Sequence, residues 1–134
     1  MTELNRTLAI RWFDEIWNKR MTSTIDELMA TDAVGHMEGQ DTHGREQFKE
    51  VRAALLGAFP DLALVVEDSI CQGSHVVIRW RATGTHKGDQ LGLLATNRSV
   101  VFRGMTWQTF KDGVLVEGWD AWNQGALLQS LQPA

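Results

Sequence analysis

The chain has 134 residues, 43% hydrophobic and 22% charged, with a net charge of −4. That length predicts one domain over residues 1–134, with a real core but no room for a separate cofactor domain, and the acidic balance excludes a basic nucleic-acid surface. Six Trp and five Phe without a single Tyr favour a large core or a wide apolar pocket, and the lone Cys71 excludes an internal disulfide or cysteine-rich metal site.

The first half reads as helical. From Glu3 to Lys19 the residues Ala9, Trp12, Phe13, Ile16 and Trp17 keep the 3–4 spacing of one helix face. Thr24 with Glu27 three residues on predicts a capping box opening a short second helix. A third helix is expected from Arg45 to Phe59, with the stripe Phe48, Val51, Leu55 and Phe59, and Pro60 ends it. Asp32 to His43 holds at most a short strand. The second half alternates as strands do. Leu62–Cys71 and His75–Thr85 flank a turn at Gln72-Gly73-Ser74, and in the second strand Val76, Ile78, Trp80 and Ala82 share a face with His86 beyond them. Lys87 to Asn97 is a loop. Ser99–Phe110 and Val114–Asn123 form a hairpin about Lys111-Asp112-Gly113. With Gly113 as a bulge, Gly104 opposes Asp120 and Phe102 opposes Trp122; a two-residue turn would instead oppose Met105 to Asp120. Three helices on the concave side of a curved, mostly antiparallel sheet make an α+β fold.

Asp120 is the most informative residue. Alternation puts its carboxylate on a face with Val114, Val116 and Trp122, where lost solvation raises a carboxyl pKa toward the range useful for proton transfer. The competing reading is a core acid paired with Arg103 or Arg79. His86 reads as an inward histidine able to hold a substrate oxygen or orient Asp120, or as a loop residue capping a carbonyl. His36 either lines the pocket mouth or is solvated. His36, His43 and Glu38 show no recognised ligand spacing, so no metal is expected. The start of the chain lacks a signal-peptide pattern and no apolar run spans a bilayer, so the expectation is a cytoplasmic protein with no membrane partner. Asn5-Arg6-Thr7 and Asn97-Arg98-Ser99 then carry no glycan.

Arg79-Trp80, Gly84-Thr85-His86-x-Gly88, Gly92, Thr96, Phe102-Arg103-Gly104, Asp112-Gly113 and Glu117-x-Trp119-Asp120, in this order and spacing, resemble the SnoaL-like polyketide cyclases, also called ester cyclases. Trp17-Asn18, His36, Gly44-Arg45-Glu46 and Phe59-Pro60-Asp61 agree. The resemblance implies the cone-shaped α+β barrel shared with nuclear transport factor 2 and a homodimer with an open pocket in each subunit. It also implies intramolecular aldol ring closure without metal or cofactor, with Asp120 and His86 at catalytic positions. Two departures stand out: a histidine of some cyclases falls on Thr106, and an asparagine of helix three falls on Val51.

The expected function is therefore cofactor-free cyclisation of a small hydrophobic polyketide or ester. Asp120 and His86 are its catalytic candidates, and His36, Trp17, Trp80, Phe102, Thr106, Gln108 and Trp122 its substrate-binding candidates. Trp107 and Trp119 fall on the opposite face, with Arg79 and Arg81, as a dimer surface. The rivals are a non-catalytic binding module of the same fold, or a hydrolase or hydroxylase of small apolar molecules.

Overall fold

A computed structural model describes residues 2–37 and 39–132. In chain order it contains α1 (Thr2–Phe13), which runs on into a π-helical turn (Asp14–Asn18), α2 (Thr22–Leu28), β1 (Met29–Met37), β2 (Gln40–His43) and α3 (Arg45–Ala58). There follow β3 (Ala63–Gln72), β4 (His75–Thr85), β5 (Ser99–Lys111), β6 (Val114–Trp122) and α4 (Gln124–Ser130). The fold is α+β, and the sheet is open, with β2 and β3 at its edges in the order β2-β1-β6-β5-β4-β3.

The alternation expected of β4 holds: Val76, Ile78, Trp80 and Ala82 are all buried. These residues meet Ala9, Trp12, Phe13 and Ile16 of the first helix and Ala58 and Phe59 at the end of α3 in one core. The π-turn leaves the Ile16 carbonyl for the buried Arg52, whose Nε donates to it at 2.9 Å. Asn18 closes the helix onto β3, exchanging two hydrogen bonds with the Leu64 backbone at 2.7 and 2.8 Å.

Four sequence expectations need correction. Asp32–His43 is not mostly loop: β1 and β2 occupy it, and β1 runs parallel to β6, so the sheet is mixed. Its residues have little β-branched content, and pairing with β6 rather than propensity makes them a strand. Thr24 is no cap; it lies inside α2, and its hydroxyl donates to Glu15 Oε1 at 2.6 Å. A fourth helix, α4, is capped by the Asn123 side chain, which accepts from the Ala126 N–H at 2.8 Å.

The fourth correction sets the site. Asp112 and Gly113 both have positive φ (52° and 81°), a two-residue turn that pairs Lys111 with Val114. A bulge then shifts the register between Phe110 and Thr109, so Thr106 opposes Asp120 and Gly104 opposes Trp122. An extra residue on one strand reverses which side chains face inward. Leu115, not Val114 and Val116, therefore joins Asp120 on the inner face: it is 6% exposed and lines the space beside the acid.

Candidate active site

Register brings the Thr106 side chain to Asp120. The Trp80 Nε1–H donates to Thr106 Oγ1 at 2.9 Å, and Thr106 Oγ1 donates to Asp120 Oδ1 at 2.5 Å. An indole nitrogen can only donate, so Thr106 accepts on one side and its single proton is directed at the carboxyl. Burial pushes the Asp120 pKa above the ordinary carboxylate range, and the Thr106 hydrogen bond pulls it partly back. No salt bridge to Asp120 occurs among the described residues; Arg79 faces Glu67 instead, at 3.7 Å. The ion-paired reading of this acid therefore finds no partner here.

Asp120 opens on a cavity of about 370 Å³ between the helices and the sheet. Phe13 and Trp17 line it from the first helix, Phe48, Val51 and Leu55 from α3, Leu91 from the loop after β4, and Trp80, Phe102, Thr106 and Trp122 from the sheet. Phe102 stacks on Trp122 at 5.1 Å, and Trp80 meets Phe102 edge-on at 6.0 Å. Gly104 makes this packing possible, since a Cβ there would lie 2.5 Å from Trp80 Cζ2 and 2.7 Å from Trp122 Cβ. Among the described lining residues there is no Lys, Arg or His; the polar groups are Gln40, Thr106, Asp120 and Gln124. The cavity suits an uncharged, largely aromatic ligand.

Of the expected site residues, the structure gathers Asp120, Trp17, Trp80, Phe102, Thr106 and Trp122 at this cavity. Gln108 lies just behind it, in a smaller chamber. It does not bring His86 there. His86 is fully buried beneath the loop after β4, where its Nδ1 accepts the Thr96 N–H at 3.3 Å and its backbone bonds Arg98 and Asn97. His36 faces the other side of the sheet, stacked on Trp119 at 5.2 Å, with Nε2 on Glu117 at 2.7 Å and Nδ1 on Asp41 at 3.0 Å. Those two acids, Glu117 first, raise its pKa. Glu38 lies outside the described residues. Phe48, Val51 and Leu55, which the sequence shows only as a helical stripe, form the α3 wall of the cavity; of the three, the resemblance singles out Val51 alone.

Residues 7–131 match the family of SnoaL-like polyketide cyclases. Among solved structures, a candidate SnoaL-like polyketide cyclase from Jannaschia sp. CCS1 is 27% identical, with a TM-score of 0.94 over 100% of this chain and 96% of that one. AclR, a candidate hydroxylase from Streptomyces galilaeus, is 27% identical with a TM-score of 0.88, covering 100% of this chain and 85% of its own. IdmH, a candidate polyketide cyclase from Streptomyces antibioticus, is 26% identical with a TM-score of 0.82, over 95% and 97%. No curated protein matches the chain. The family match covers nearly the whole sequence, and the chain belongs to the SnoaL-like polyketide cyclase family.

Proposed function

We propose that the protein is an acid/base enzyme that closes a ring in a small, uncharged, polyketide-like molecule. The observation that carries this reading is a desolvated Asp120 carboxyl, with no cation beside it among the described residues, set in the wall of an aromatic cavity. The ionised carboxylate takes a proton from carbon next to a carbonyl. The enolate attacks a second carbonyl of the same molecule, forming the carbon–carbon bond, and Asp120 returns its proton to the new alkoxide. The cavity walls hold the two carbons in register, replacing a bimolecular encounter by a positioned one. These steps balance without a metal or cofactor. Because His86 does not line the cavity, holding the substrate oxygen falls to the amides that do, Gln40 and Gln124.

The catalytic role is tested by Asp120→Asn, which keeps the shape and removes the base. Against a ligand found by screening aromatic ketones and polyketide-like esters, turnover should fall by about 10²–10⁴, with affinity changing far less. Equal turnover in the two proteins removes Asp120 from the mechanism; tight binding without turnover across the screen favours the binding module. The likeness to AclR supports a second reading, in which the same cavity serves hydroxylation of an apolar substrate. We also propose a homodimer through the outer face of the sheet, where Val101, Met105, Trp107 and Trp119 are all exposed.

A further inference from the structure

Behind Asp120 lies a second chamber of about 60 Å³, bounded by Gln108, Thr42, Leu115 and Gly118 and sharing Thr106 and Asp120 with the main cavity. The register builds it. Gln108 stands two residues from Thr106 on the inward face of β5, as Gly118 does from Asp120 on β6. Gln108 pairs directly with Gly118, so the amide lies beside a residue with no side chain. A Cβ built on Gly118 would meet only the Trp107 carbonyl oxygen, at 3.6 Å. The space is open.

Gln108 is 2% exposed, and its Oε1 is buried with no hydrogen-bond partner among the described residues. Native proteins rarely leave such an acceptor unpaired, so something that donates is expected beside it. The chamber exceeds what one water molecule needs and is too small for a ring. We infer that it is a subsite for a single hydroxyl group carried by the ligand. Gln108 Oε1 accepts the hydroxyl proton, and the hydroxyl oxygen remains free to accept from the protonated Asp120 carboxyl. A ketone or ether placed there would leave Oε1 unpaired. The inference rests on the larger cavity being the ligand site, and it narrows the ligand class to uncharged aromatic or polyketide-like molecules bearing a hydroxyl on the part that enters first.

Calorimetric titration of the full chain with 1-naphthol and with 1-methoxynaphthalene tests this, because the ether keeps the ring and loses only the donor. The quantity read is the ratio of the two affinities. In Gln108→Leu the preference for the naphthol should fall about five- to tenfold relative to wild type, the worth of one buried hydrogen bond. Gly118→Ala, which puts a methyl group into the chamber and leaves the amide intact, should lower it as well; thermal melting confirms that both variants fold. A ratio unchanged in both variants leaves the chamber to solvent and overturns the subsite, with the larger cavity still standing as the ligand site. Failure of wild type to bind either probe overturns the cavity reading and the subsite with it.

Discussion

The two faces of the sheet are built from the same strands and hold their titratable groups in opposite ways. Along β5, Val100, Phe102, Thr106, Gln108 and Phe110 are buried, while Val101, Met105 and Trp107 between them are exposed. On the inner face Asp120 has one hydrogen-bonding partner among the described residues, a neutral hydroxyl, and its pKa is raised because burial penalises the charge. On the outer face His36 sits between two carboxylates, and its pKa is raised because hydrogen bonds favour the charge. The direction is the same, yet the favoured form is neutral in one case and cationic in the other. A raised pKa therefore marks a poised proton-transfer group only when its cause is known.

The packing contrast predicts the largest stability effect. Phe110→Ala, on the inner face, should cost about 3–5 kcal/mol in denaturant unfolding, as deletion of a buried aromatic does; a loss below about 1 kcal/mol would mean that this part of the core repacks freely. Across the sheet, Trp107 and Trp119 meet edge-on at 6.2 Å and remain exposed. By sedimentation, wild type should be a dimer at micromolar concentration, and replacing both tryptophans by serine should leave a folded monomer. A monomeric wild type contradicts the outer-face interface.

The smallest expected effect concerns His36. Its folded pKa is raised, so the stability it adds is fully present below its unfolded value of about 6.5 and is lost as pH rises through the folded one. His36→Gln should therefore lower the melting temperature more at pH 5.5 than at pH 8.5. A difference independent of pH would show that the Glu117 and Asp41 contacts act through shape alone.

These contrasts also show what the sequence can carry. Alternation in β4 and the stripe of the first helix were legible because period 2 and period 3.6 report directly which residues share a face. The identity of Asp120 was legible for the same reason, but not its neighbours. One bulge beyond a two-residue turn exchanged Val114 and Val116 for Leu115 and brought Thr106 opposite the acid. Bulges leave little trace in composition. β1 was legible as at most a short strand because its pairing is with β6, more than 80 residues distant for His36 and Trp119, and Met29–Met37 holds only Thr31 and Val34 of the branched residues that mark a strand locally. The α3 stripe shows a limit of another kind. Periodicity says that Phe48, Val51 and Leu55 face one way, and it cannot say whether side chains or an empty cavity cover them.

The central claim is that Asp120 is a desolvated carboxyl poised by Thr106, and carboxyl-carbon NMR titration tests it most directly. Wild type should titrate above the ordinary aspartate value of about 3.9, and Thr106→Val, which removes the hydrogen bond that lowers the pKa, should titrate higher still. An Asp120 midpoint at or below that ordinary value in wild type would contradict the account.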